Sequence, residues 1–320
     1  MLALSAFLIC MAGRAETPVV DGLKVEAGAV RPLVHSKLAL DWLDCAGKLP
    51  EPDKRIVYRD VKKEYLSPDK YNALSDSDKA ACKKVELDPS FYYYTKYGTP
   101  LAYVRIYDLA AQNGIDTLQG RSIADYGYGG VGQLRLAALM GAKSVGVDVD
   151  SLLPALYCQP GDAGTFGDGS VKMVNGFWPG GEGIASEVGG GYDLFISKNT
   201  LKRGYVHPER PANPNYLITL GVTDEEFLHD VWKALNPKGL FIVYNLSPAQ
   251  NPPDKEFLPM ADGRFPFDRA LAEKVGFEVV AFDVNDDTFA RAMGLAYGWG
   301  SKEEMEKGIF AHYTILRKKS

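Results

Sequence analysis

Ile123-Ala124-Asp125-Tyr126-Gly127-Tyr128-Gly129-Gly130-Val131-Gly132 is the stretch that decides how this chain folds. Ser122–Asp125 reads as a short strand, and Val131–Met140 has the pattern of an amphipathic helix. Between them lie glycines, which let the backbone turn sharply and let a ligand come close while the helix N-terminus faces it. A second strand, Lys143–Asp148, ends in Gly146-Val147-Asp148. Asp148 follows Gly127 by 21 residues, the interval of one strand–helix–strand unit, and an acid at that strand tip is placed to accept from ribose hydroxyls.

The glycine turn and the acid together predict a nucleoside-type cofactor. Gly127, Gly129 and Gly132 also satisfy G-x-G-x-x-G, so an NAD-dependent oxidoreductase is a rival reading. Asp125 separates the two. Its carboxylate would repel an anionic pyrophosphate, and it suits a cofactor carrying positive charge, such as the amino group of S-adenosylmethionine.

Further along, short apolar runs alternate with helical stretches. Strands are expected at Val171–Val174, Tyr192–Ser197, Gly239–Asn245, Phe277–Phe282 and Ile309–Leu316, with helices at Asp224–Leu235 and Phe267–Val275. Alternation of this kind means right-handed crossovers and a mostly parallel sheet. Residues 16–118 differ in texture, being charged, Pro-punctuated and aromatic-rich, with helical patches at His35–Cys45, Ser75–Val85 and Leu101–Asn113.

Asp125-x-Gly127-x-Gly129 followed by Gly-Val-Asp148 resembles the first two motifs of class I S-adenosylmethionine-dependent methyltransferases. Val174-Asn-Gly-Phe-Trp-Pro179 is similar to that family's loop after the third strand, Tyr192-Asp-Leu-Phe-Ile-Ser197 to its fourth strand, and Leu235-Asn-Pro-Lys-Gly-Leu240 to its turn into the fifth. The resemblance covers about residues 121–318. It implies an α/β fold: a Rossmann-like, doubly wound, mostly parallel seven-stranded sheet with an antiparallel last strand. A mainly helical N-terminal cap at 16–118 would precede a cofactor-binding domain at 119–320. It implies S-adenosylmethionine held by Asp125, Gly127, Gly129, Asp148, Asn175, Ser197 and Asn199. Asn175 stands where the family more often has Asp, and Val131 where a third glycine is usual.

The segment after the fourth strand, Ser197 to Arg210, borders the crevice beyond the carboxyl ends of the strands. Lys198, Tyr205 and His207 are its candidates for orienting an acceptor or taking a proton. Tyr244-Asn245, at the fifth-strand tip, is a further candidate for facing substrate. Phe91–Tyr94 with Tyr97-Gly98-Thr99-Pro100 reads either as a lid over the cofactor or as a packed aromatic patch. Methyl transfer from an activated sulfonium rests largely on alignment, so no catalytic triad is required. A non-catalytic binding protein on the same fold is the third reading.

Composition narrows the partners. The 320 residues carry 36 Lys and Arg against 41 Asp and Glu, a net charge of −5, with basic residues clustered only in short runs. That balance argues against a nucleic-acid-binding protein and for a small-molecule substrate. His35, His229 and His312 have no neighbours at metal-ligand spacing, and Cys45, Cys82 and Cys158 form no C-x-x-C, so no metal or disulfide framework is expected. The apolar run Leu2–Ala12 is too short to insert stably across a membrane. Gly13 and Ala15 place a signal-peptidase site after Ala15, making 1–15 a secretory leader, whereas a start at Met11 would leave a leaderless, cytoplasmic chain.

Overall fold

The computed structural model describes residues 18–320; the leader considered for residues 1–15 lies outside them. The strands are β1 Arg55–Arg59, β2 Tyr65–Leu66, β3 Lys83–Leu87, β4 Ser122–Tyr126, β5 Lys143–Asp148, β6 Gly164–Phe166, β7 Gly169–Asn175, β8 Tyr192–Lys198, β9 Leu235–Ser247, β10 Phe277–Asn285 and β11 Phe310–Lys318. The last eight form one sheet in the order β10-β11-β9-β8-β4-β5-β7-β6. Strands β4, β5, β7, β8 and β9 run parallel, and β11 lies antiparallel between β9 and β10.

This is the doubly wound sheet expected from the sequence, with one strand added. β6 is a three-residue strand folded back on β7 through Gly167, whose φ of 56° only glycine adopts freely. A second departure lies in the N-terminal region. The helix expected over Ser75–Val85 stops at Ala81, and Lys83–Leu87 pairs with β1 in a three-stranded antiparallel sheet. From Lys84 the side chains of Lys-Val-Glu-Leu87 alternate polar and apolar, a strand pattern that the preceding Ser75-capped helical turn conceals.

Because neighbouring strand residues point to opposite faces, each central strand feeds two cores. Ile123, Leu194, Ile196, Leu240, Ile242 and Ile315 belong to one core; Ala124, Phe195, Phe241, Val243 and Leu316 belong to the other. The second is covered by the helices Ile184–Val188, Asp224–Ala234 and Arg269–Val275. The first is covered by Val131–Leu139 and Asp287–Ala296 together with the N-terminal helices Val19–Val30, Lys37–Asp44 and Arg105–Gln112. The N-terminal residues therefore supply much of one helical layer. Trp42, fully buried, stacks on Tyr107 at a centroid distance of 4.7 Å.

Charge fastens that layer. Buried Asp108 accepts the backbone N–H groups of His35 (3.2 Å) and Ser36 (2.8 Å), and Arg105 beside it pairs with Asp286 (3.0 Å). The Tyr244 hydroxyl on β9 donates to the same Asp286 at 3.1 Å. Tyr244 is thus structural, and so is Asn245, whose amide donates to Leu201 O and Gly263 O at 2.8 and 2.9 Å. No helix among the described residues is long and apolar enough to cross a membrane.

Truncating Trp42 to Ala should cost about 3–5 kcal/mol, the usual penalty for removing a large buried aromatic. Urea unfolding is expected to remain a single transition shifted to lower denaturant. Two separated transitions would show that residues 18–118 fold independently of the sheet.

Candidate active site

Strand β4 enters the turn at Gly127 and the helix starts at Val131, after three glycines in four positions. Gly127 and Gly129 have φ of 70° and 62°, which is why glycine stands there. Four backbone donors of this turn are already engaged. Gly127 N donates to Val147 O (2.8 Å), Gly129 N to Asp148 Oδ2 (3.0 Å), Gly130 N to Tyr128 O (2.6 Å) and Val131 N to the Tyr157 hydroxyl (3.1 Å).

A cavity of about 280 Å³ opens beside the turn. One wall is Gly127–Gly130 with Asp148 and Val149. A second is Lys198, Asn199, Thr200 and Tyr205 from the segment after β8, with Ile218. The third comes from the N-terminal region: Tyr93, Thr95, Tyr97–Pro100 and Tyr103. The aromatic segment singled out in the sequence therefore divides. Tyr93 and Tyr97 face the cavity, while Tyr92 and Tyr94 are buried. Protein fits closely round the glycines: a Cβ on Gly129 would lie 2.9 Å from the Tyr97 ring, and one on Gly127 would overlap Thr200.

Asp125 and Lys198 end neighbouring parallel strands on the same face, and the ammonium bonds both carboxylate oxygens. Both side chains are at most 4 % exposed. Burial raises the Asp125 pKa, and Lys198 opposes that shift without overcoming it. Asp125 is therefore a neutralised partner here, not the free carboxylate its sequence context suggests. Asp148 accepts Gly129 N and Asp150 N, both at 3.0 Å, and has no cationic partner among the described residues; burial raises its pKa also.

Asn199 sits at φ 55°, and its amide is used at both ends. Nδ2 donates to the Tyr103 hydroxyl at 2.6 Å, and Oδ1 accepts Leu246 N at 2.7 Å. Tyr205 lines the cavity, with its phenol pushed up to about 12 by burial.

Four expected site residues are not on the cavity wall, and Asp125, buried against Lys198, is the first of them. Ser197 is fully buried and does not line the cavity, because strand alternation turns it to the face opposite Lys198. Asn175 is exposed, and its amide donates to Asp148 O (3.0 Å) and Asp150 O (3.2 Å), fixing the acid's backbone rather than entering the cavity. His207, 47 % exposed, bonds Asp224 Oδ2 at 2.8 Å at the start of a surface helix, so it does not border the crevice. Tyr103 and Tyr128, which do line it, were missed; Tyr103 hides within a run that reads as plain amphipathic helix. Buried Lys202 was missed too: it donates to Leu246 O (2.5 Å) and Met260 O (2.9 Å), pinning the segment that carries Tyr205.

No protein-family profile matches the chain, and no curated protein matches it. Solved structures do. A phosphoethanolamine N-methyltransferase of Haemonchus contortus is 13 % identical over 89 % of this chain and 75 % of its own, with a TM-score of 0.41. A cyclopropane synthase of Mycobacterium tuberculosis is 13 % identical over 71 % and 88 %, with a TM-score of 0.40. A precorrin-6y C5,15-methyltransferase of Geobacter metallireducens is 13 % identical over 68 % and 88 %, with a TM-score of 0.36. The likeness is one of fold. The sheet itself is Rossmann-like and doubly wound, and what its cavity can hold follows from this chain's own residues.

The buried pair makes a pH-dependent prediction. An acid whose folded pKa is raised contributes full stability below its unfolded pKa and loses it as pH climbs through the folded one. Lys198→Met removes the counter-charge, so stability at pH 7 should fall by about 3–5 kcal/mol and partly recover towards about pH 5, relative to wild type. Adding Asp125→Asn should restore much of the loss. Urea midpoints measured across pH check both.

Proposed function

We propose that the chain is an S-adenosylmethionine-dependent methyltransferase acting on a small molecule. The observation that carries this reading is the state of the glycine turn. Its amides at 127, 129, 130 and 131 are bonded to protein acceptors, and one of those acceptors is the carboxylate of Asp148, which faces the cavity and would repel a pyrophosphate. Such a site suits a nucleoside without phosphates that carries positive charge. When bound, S-adenosylmethionine supplies a methyl group already activated on sulfur.

The chain's residues take distinct parts. Asp148 keeps lone pairs for the ribose hydroxyls beyond the two backbone donors it already accepts. Gly127 and Gly129 give close approach, with Tyr97 laid against the turn. Lys198, held in place by buried Asp125, borders the amino-acid end of the cofactor. Asn199 fixes Tyr103, and Tyr205 with Ile218 stands on the acceptor side. Residues up to about 118 act as the cap, since Tyr93–Tyr103 closes the cavity. The residues present fit the cofactor.

Calorimetric titration with S-adenosylhomocysteine and with NAD tests this directly. Binding of the thioether and not of NAD is expected; NAD binding alone would establish the oxidoreductase reading. Asp148→Ala should weaken S-adenosylhomocysteine about tenfold or more, the loss of charge-assisted hydrogen bonds worth about 1.5–3 kcal/mol. His207→Ala should leave that affinity unchanged, since His207 lies outside the cavity.

A further inference from the structure

Five tyrosines, 93, 97, 103, 128 and 205, line the cavity. Tyr205, half-exposed Tyr97 and buried Tyr103 share that wall, and burial raises the pKa of Tyr103 with the neighbouring Tyr205 adding to the shift. Tyr205 bonds no protein partner through its hydroxyl among the described residues. Their rings are also used as faces for cations. Lys96 lies 5.2 Å from the Tyr97 centroid, Lys198 5.9 Å from Tyr103 and Lys202 5.6 Å from Tyr205. Those ammonium groups are matched, Lys96 by Asp150 at 2.6 Å, Lys198 by Asp125 and Lys202 by oxygens of β9 and the Pro259–Ala261 turn. Asp148 is left as the carboxylate on the cavity wall without a cation.

The same wall holds no base fit for a hydroxyl acceptor. An alcohol, a far weaker acid than an alkylammonium, must lose its proton as it attacks, which calls for an unprotonated group within hydrogen-bond reach. Tyr103 and Tyr205 are held neutral by burial, Lys198 is locked on Asp125, and Asp148 stands at the glycine turn. A cavity that attracts positive charge and lacks a strong base selects a nucleophile that is neutral when it attacks and positive afterwards.

We propose that the methyl acceptor is an amine nitrogen of a small alkylamine, seated among Tyr103, Tyr205, Asn199 and Ile218. This rests on the methyl-transfer reading above. An ammonium arriving from solution gives its proton to water, and the freed lone pair forms the new C–N bond. The C–S bond breaks and its electron pair remains on sulfur, leaving a neutral thioether. The positive charge passes from sulfur to nitrogen inside the tyrosine wall, so it stays against the aromatic rings throughout. Any remaining N–H proton then leaves to water.

Choline and its neutral isostere 3,3-dimethylbutan-1-ol differ in charge and hardly in shape, and both can be titrated into the full chain saturated with S-adenosylhomocysteine. Choline should bind about tenfold tighter, the scale of a desolvated cation–π contact. Tyr205→Leu should abolish that preference and Tyr205→Phe should keep it, while S-adenosylhomocysteine affinity stays within about twofold of wild type, which also shows that each variant is folded. Equal binding of the two probes, or tighter binding of benzoate, overturns the amine assignment alone. Failure of the unmodified chain to bind S-adenosylhomocysteine overturns it together with the methyl-transfer reading.

Discussion

The hydrogen bond from Gly129 N to Asp148 sets the character of this molecule. It closes the glycine turn of one strand onto the acid at the tip of the next. With Val147 O and the Tyr157 hydroxyl taking neighbouring donors, the turn becomes a self-contained piece of backbone. A helix N-terminus ordinarily offers its free amides to anions. Here four of those donors, at 127, 129, 130 and 131, are already taken by protein acceptors, and the Asp148 carboxylate stands on the cavity wall beside them. On the methyl-transfer reading proposed above, that carboxylate is what favours a sulfonium-bearing cofactor over a phosphate-bearing one.

The second constraint is the buried pair of Asp125 and Lys198. A lone carboxylate at this depth would be costly, and its ammonium partner comes from the adjacent strand, two residues past Asp125's register partner Ile196 and on the same face. Pairing ties the two central strand ends together and directs both groups toward the N-terminal face. There the aromatic segment from Tyr93 to Tyr103 closes over them. The residues before the first central strand thus form part of the binding wall and part of the core.

Much of this was legible because it is local. The strand–turn–helix unit, the acid 21 residues on and the later strands each declare themselves within a few residues. What escaped depended on partners distant in sequence. β3 is a strand because β1 lies beside it, and Lys83–Leu87 alone follows on from a helix. Ser197 and Lys198 are adjacent in sequence yet face opposite sides of the sheet, so only one reaches the cavity. His207 sits two residues past Tyr205, but a short helical turn carries it out to Asp224. Tyr103 was invisible because its function is to meet Asn199, 96 residues away.

The joint of Arg105, Asp108, Asp286 and Tyr244 bears on how such a chain can be engineered. It ties a helix ahead of the first central strand to the loop after β10 and to the middle of β9, so both ends of the sequence converge on one face. A shortened protein beginning near residue 120 would keep the whole glycine turn and Asp148 yet bare Leu134, Ile242 and Met293 to water. Such a fragment would aggregate instead of serving as a minimal enzyme. Circular permutation through the exposed turn around Lys62-Lys63 leaves that joint intact and is the gentler route to new termini.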